Sequence, residues 1–252
     1  MIDFLIISRR HTKKGGVEIY PRFRLYPKSS DLMIRGGDFY AIWIEELGLW
    51  STNEADALCL IDRELDKYVN DHPELRDGGE NVRVLYMWDS ESGMIDAWHK
   101  YCQKQMRDSF NMLDENLIFS NTVTNKKDYA SKRLNYPLEP GDISAYDKLM
   151  STLYTEEERH KIEWAIGSII SGDSKTIQKF MVLYGSAGTG KSTILNIIQK
   201  LFEGYYSVFD AKALGSASNS FALEAFKKNP LVAIQHDGDL SRIEDNTRLN
   251  SL

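Results

Sequence analysis

Cysteine is almost absent from this chain. Its 252 residues include two, Cys59 and Cys102, far apart in sequence. That excludes a disulfide framework and a cysteine-built zinc site, and it points to a reducing compartment, with a cytoplasmic protein expected. The five histidines are scattered, without paired metal-ligand spacing. Long apolar runs are missing too. None approaches the roughly 20 residues of a membrane span, so no membrane partner is expected. The first eight residues carry Asp3 and no basic segment, so they read as a first strand rather than a secretory signal. Positive charge is not in excess: 31 Lys and Arg face 37 Asp and Glu, for a net charge of −6. A dedicated nucleic-acid binder is usually basic, so the whole-chain charge gives DNA binding no support. It does not exclude a ring that is acidic outside and basic only in its channel. No repeat or low-complexity tract occurs, and the first half shows no acid cluster of the kind that primase or polymerase chemistry needs. What remains, at 42% hydrophobic and 27% charged residues, is a globular chain of one large or two modest domains.

What is present is the octapeptide Gly185-Ser186-Ala187-Gly188-Thr189-Gly190-Lys191-Ser192. It fits the phosphate-binding pattern G-x-x-x-x-G-K-[ST] at every fixed position. Phe180, Met181, Val182, Leu183 and Tyr184 precede it and read as a buried strand. Thr193, Ile194, Leu195, Ile197, Ile198, Leu201 and Phe202 follow, apolar at helical spacing, with Gly204 as the stop. Glycine tolerates positive φ, so the backbone can curl around a phosphate with its N–H groups inward. The helix N-terminus adds partial positive charge at the same place. In such a loop Lys191 reaches the β- and γ-phosphates of ATP, and Ser192 gives its hydroxyl oxygen to Mg²⁺. Residues 185–193, Thr193 included, form the expected nucleotide-binding set. The bland alternative is a glycine-rich turn with an exposed Lys and a capping Ser.

The first half, residues 1–125, reads as a smaller α+β module. Val17–Tyr20 and Phe23–Tyr26 look like short strands around Pro21. Asp38–Trp43 alternates like a strand, and Gly48-Leu49-Trp50 suggests a hairpin return. Ser51 with Glu54 makes a capping box for a helix whose apolar face is Leu58, Ile61, Leu65 and Tyr68. Val82–Trp88 reads as a strand. A helix from about Glu91 to Met106 follows, with Ile95, Trp98, Cys102 and Met106 on one side. Tyr40, Trp43 and Trp50 offer stacking surfaces for bases, but alternating strand positions favour core packing. Residues 126–142 hold charges, two prolines and a glycine, and read as a linker. Its basic cluster, Lys126, Lys127, Lys132 and Arg133, is either a solvated connector or a DNA contact, and short charge runs usually sit in water. In residues 143–252, Thr155 and Glu158 make a second capping box. Ile162, Ala165, Ile166, Ile169 and Ile170 form a wide apolar face, and Gly172 ends the helix.

A phosphate-loop NTPase needs an acid on a neighbouring strand to hold Mg²⁺ or orient water. Leu231-Val232-Ala233-Ile234 is an apolar run, and Gln235-His236-Asp237-Gly238-Asp239 follows. Asp237 is the first choice for the acid and Asp239 the second. The acidic pair usually comes directly after the strand, where Gln235 and His236 stand here, and Asp237-Gly238 also reads as an ordinary turn. His236 either senses the γ-phosphate or caps the strand end.

The segments Lys161–Gly167, Gln178-Lys179-Phe180 and the loop together resemble the superfamily 3 helicase core of phage and large-virus primase-helicases, of the poxvirus and satellite-phage types. The stretch from Leu231 to Asn250 is similar to phage members of that group. Phe39–Trp43 with Gly48-Leu49-Trp50 and a following helix resembles the small domain that precedes the motor. The likeness is specific from Asn135 onward and looser over Asp31–Asn116. It implies an α/β fold: an AAA+-like P-loop NTPase core over 143–252, preceded by the smaller α+β domain. It also implies an ATPase and DNA helicase that forms a homo-hexamer, moves on single-stranded DNA during DNA replication and partners a primase or polymerase, in the host cytoplasm if phage-encoded. Gly185, Gly190, Lys191 and Ser192 would bind the nucleotide, with Lys191, Asp237 and Asp239 catalytic and Ser192 and Asp237 on Mg²⁺.

The family places its sensor Asn, DNA-contacting hairpin and arginine finger after the position of Leu252. The core is therefore expected to be C-terminally truncated, incomplete and weakly active or inactive alone. An absent arginine finger lowers phosphoryl transfer by roughly 10³-fold or more. After Lys191 only Tyr205–Phe209 and Leu231–Ile234 read as strands, so an open sheet edge with exposed apolar surface is expected. Two other readings stand beside this one. One is a different P-loop ATPase, such as a helicase loader or small-molecule kinase. The other is a nucleotide-binding assembly module without turnover.

Overall fold

The computed structural model describes residues 2–35, 39–77, 81–105, 112–214, 223–227 and 230–236. The chain is a mixed α/β protein that divides into two compact units, Met1–Leu113 with Val123–Ser131, and Asp114–Thr122 with Lys132–Leu252. Residues 126–142, expected as a linker, fall partly in each. Lys126 pairs with Asp31 in the first unit, and Lys132 lies 3.7 Å from Asp114 in the second.

The first unit contains β1 (Leu5–His11), β2 (Gly16–Phe23), β3 (Leu32–Arg35), β4 (Phe39–Ile44), β5 (Leu49–Ser51), α1 (Glu54–Asn70), α2 (Glu74–Asp77), β6 (Asn81–Val84) and α3 (Met94–Lys104). One sheet has the order β1-β2-β6, with β1 antiparallel and β6 parallel to β2. β3, β4 and β5 form an antiparallel meander. Side chains alternate across a strand. In the first sheet Leu5, Ile7, Val17, Ile19, Phe23, Val82 and Val84 accordingly face the core, where Leu58, Ile61 and Leu65 of α1 and Trp98 of α3 are buried. The cross-strand partners Ile6 and Arg22, Ser8 and Tyr20, and Arg10 and Glu18 take the other face.

Three expectations need correction here. β2 runs unbroken through Pro21 rather than as two strands. β6 pairs only up to Ile19, so at Pro21 the strand has one sheet neighbour, where a missing N–H is tolerated. The strand expected over Val82–Trp88 ends at Val84. The cap of α1 is Asn53, whose side chain accepts from Ala55 N at 3.2 Å. Ser51 instead bonds Asp56 at 2.5 Å, and Glu54 is drawn to His99 Nε2 at 2.7 Å. Met106 and Asp38 lie outside the described residues.

The second unit contains α4 (Ser144–Leu153), α5 (Glu156–Ser171), α6 (Ser174–Ile177), α7 (Lys191–Leu201), β7 (Tyr206–Val208), α8 (Ala211–Leu214) and β8 (Val232–Ile234). The Thr155/Glu158 capping box forms, and Gly172 at φ +78° caps the far end of α5. β7 and β8 pair in parallel, Tyr206 opposite Val232 and Val208 opposite Ile234. Beneath them Phe119, Leu134, Phe202 and Tyr205 make one core cluster. Met150, Ile162 and Ile194 make a second, joined by Leu183 and Tyr154.

The strand expected over Phe180–Tyr184 is not formed: the segment has no sheet partner among the described residues. A strand exists only as half of a ladder, and this segment makes no ladder with β7, β8 or any other described strand. Phe180, Met181, Val182 and Tyr184 are 72%, 42%, 58% and 98% exposed, so the apolar run expected to be buried lies open. No helix among the described residues is long and apolar enough to cross a membrane.

Candidate phosphate-binding loop

Residues 185–190 form an irregular turn that delivers the chain into α7. Gly185, Gly188 and Gly190 have φ values of +154°, +81° and +81°. L-residues with a Cβ adopt the last two only at a cost, so the backbone that is built needs Gly190, a fixed glycine of the pattern, and also Gly188 at a variable position. At Gly190 space is short as well: a Cβ there would stand 2.7 Å from Leu153 Cδ1 of α4. A Cβ at Gly185 would meet Thr189 Oγ1 at 3.3 Å.

Lys191 is the first residue of α7. Its ammonium folds back across the turn and donates to Gly185 O at 2.9 Å and Ser186 O at 2.6 Å, with Thr189 Oγ1 at 3.3 Å. Thr189 Oγ1 itself donates to Ser186 O at 3.0 Å. Gly190 O accepts from Ile194 N at 3.1 Å, beginning the helical ladder. No side chain caps the helix, and the N–H groups of Lys191, Ser192 and Thr193 have no acceptor within it by the geometry of an α-helix. Ser186, Ala187, Gly188, Thr189, Ser192 and Thr193 are exposed. Positive-φ glycines, helix N–H groups without an acceptor in the helix, one ammonium and an exposed Ser192 thus occur together at one turn. That donor set fits a phosphate group, with the hydroxyl open to a divalent cation.

The acids of the expected site, Asp237 and Asp239, lie outside the described residues. What leads to them is described. Gln235, directly after β8, accepts from Ala211 N at 3.1 Å and so ties the strand end to α8. His236 is exposed. Among the described residues no three His, Cys, Asp or Glu side chains gather as a metal site. Leu153, which abuts Gly190, was not picked out from the sequence, because no local pattern relates residues 37 positions apart.

The aromatic surfaces considered for base stacking are occupied. Trp43 and Trp50 are buried against each other edge to face at 5.7 Å. Trp50 stacks on Tyr129 and donates to Lys126 O at 3.0 Å. Tyr40 meets Trp98 edge-on at 5.7 Å, and burial raises its hydroxyl pKa well above the ordinary tyrosine range. Trp43 and Trp50 are core residues, and Tyr40 is partly buried against the core. No protein-family model, curated protein or solved structure matches this chain.

Proposed function

We propose that residues 185–193 bind the phosphates of Mg-ATP and that the chain is the ATP-binding part of a replicative DNA helicase of AAA+ type, acting as a hexamer on single-stranded DNA. The observation that carries the nucleotide assignment is the loop's geometry. Gly188 and Gly190 have positive φ, and the loop opens onto the uncapped N-terminus of an eleven-residue helix with Lys191 folded over it. The wider motor assignment rests on the resemblance from Asn135 onward.

In this reading Lys191 exchanges its carbonyl partners for the β- and γ-phosphate oxygens and neutralises charge on the transferring group. The N–H groups at the start of α7 hold the phosphates, and Ser192 ligates Mg²⁺. Asp237, with Asp239 as second choice, holds the metal or orients the attacking water. Held by Ser192 and Asp237, Mg²⁺ would supply positive charge to offset that of the phosphates.

The test is binding of a fluorescent ATP analogue together with ATP hydrolysis, each measured with and without single-stranded DNA. Lys191→Ala is expected to lose binding or turnover while keeping the wild-type circular dichroism, and undiminished turnover would refute the site. Of Asp237→Asn and Asp239→Asn, the variant that loses Mg²⁺-dependent activity identifies the acid. Turnover that rises with DNA supports the motor. Mg-ATP binding that ignores DNA removes the helicase reading and leaves a nucleotide-binding assembly module, which the exposed apolar side chains of Phe180–Tyr184 also favour.

A further inference from the structure

The net charge of −6 conceals a strong local exception. Between Leu5 and Arg24 the chain carries six basic residues and one acid, a charge of +5 within twenty residues. The fold gathers much of this on one surface. By the register of β1 with β2, the face of the sheet turned away from α1 and α3 carries Ile6, Ser8, Arg10, Tyr20 and Arg22, and Arg24 follows at the same parity. Lys13 and Lys14 stand at the hairpin tip, both exposed. Among the described residues no carboxylate lies within ion-pair distance of Lys13, Lys14, Arg22 or Arg24. Three described acids of this region are engaged: Glu18 with Arg10 at 2.6 Å, and Asp89 and Glu91 with Arg83 at 3.4 and 3.7 Å.

We propose that this outer face of the β1–β2–β6 sheet binds single-stranded DNA. Four cations with no ion-pair partner among the described residues suit a polyanion. Arg22 and Arg24, two residues apart in extended chain, stand about 7 Å apart and form a row along the strand rather than a point charge. The apolar component selects among polyanions. The Arg10 guanidinium lies 5.1 Å from the centre of the Tyr20 ring, and Ile6 is 38% exposed beside them. A stacked guanidinium–ring pair presents a flat surface on which a nucleobase can lie. A duplex turns its base faces inward and has nothing to place there, whereas a single strand does. The face belongs to the unit that does not hold the phosphate loop. The choice of DNA over RNA rests on the function proposed above, but the charge and stacking argument does not.

The experiment is fluorescence anisotropy of the full chain with labelled oligo(dT) of about 15 nucleotides, without nucleotide, across a salt series. The wild type is expected to bind, with affinity falling as salt rises. Each phosphate contact on a single strand contributes about −0.7 to the slope of log K against log salt, so Arg22→Ala/Arg24→Ala is expected to flatten it by about 1.4. Arg22→Glu/Arg24→Glu is expected to weaken binding at least about tenfold at low salt. These side chains are exposed, and an unchanged circular dichroism spectrum checks the fold. Lys148→Ala/Lys200→Ala removes two exposed charges from the other unit and is expected to leave binding unchanged, as is Lys191→Ala. The proposal is overturned if the wild type does not bind, if the Arg22/Arg24 variants bind like wild type, or if the Lys148/Lys200 variant weakens binding equally. It is also overturned if duplex DNA, oligo(U) or anionic vesicles are bound more tightly than oligo(dT). Loss of ATP binding in Lys191→Ala with DNA binding intact separates the two sites, so either can fail alone.

Discussion

Gly190→Ala tests the loop where two constraints coincide. The residue has φ +81°, a conformation that costs an alanine about 1–2 kcal/mol relative to glycine. Its new methyl would lie 2.7 Å from Leu153 Cδ1, closer than two carbons can approach. The obstacle is the end of a half-buried leucine side chain, so it can turn aside, and about 1 kcal/mol, the lower end of overpacking costs, is appropriate. The expected destabilisation is about 2–3 kcal/mol, or roughly 30- to 150-fold in the local opening equilibrium. A whole-chain melt is the wrong assay, because the chain has two units and need not unfold in one step. Hydrogen exchange followed by mass spectrometry on peptides from α4 and α7 reads the second unit directly. The expected result is faster exchange in those peptides, with α1 and α3 unchanged. A cycle with Leu153→Ala then separates the two contributions. If Leu153 is the obstacle, the double variant is less destabilised than the sum of the singles by about 1 kcal/mol. Additivity within about 0.5 kcal/mol would show that the methyl is accommodated elsewhere. A Gly190→Ala protein within that margin of wild type would refute the strained geometry itself.

Two further substitutions follow from the same reasoning about space and exposure. Gly167 sits inside α5 with nothing within 4 Å of the place a methyl would occupy, so Gly167→Ala should stabilise that helix by about 0.5–1 kcal/mol, seen as slower exchange in α5; faster exchange would mean the position is crowded. Replacing Phe180, Val182 and Tyr184 together by threonine should reduce self-association in sedimentation and light scattering while leaving the fold intact; loss of structure in the second unit would show that these side chains are packed rather than exposed.

What the sequence discloses depends on how far apart the deciding groups lie. Thr155 with Glu158, and Gly172 at the other end of α5, were legible because a helix end is settled within four residues. The glycines at 188 and 190 were legible for the same reason, since the sign of φ belongs to one residue. Ser51 with Glu54 fits the capping pattern equally well, but Asn53 is a competing cap two positions on, and His99 of α3 claims the Glu54 carboxylate at 2.7 Å. Phe180–Tyr184 has the composition of a strand and no sheet partner among the described residues, and composition cannot reveal which neighbour a strand lacks. The basic face of the first sheet was hidden by summation, because a net charge averages over the chain while a ligand meets one surface.

Lys191 shows where legibility of the loop itself stops. The pattern identifies the residue, but only the fold shows its ammonium already bound to the carbonyls of Gly185 and Ser186. A phosphate entering the loop must displace those bonds and not merely add its own. The loop's affinity is then a difference between two charge-assisted networks. That difference explains how a loop can match the pattern at every fixed position and still bind weakly, and it makes measured affinity for Mg-ATP, rather than the match, the quantity that decides what this chain does.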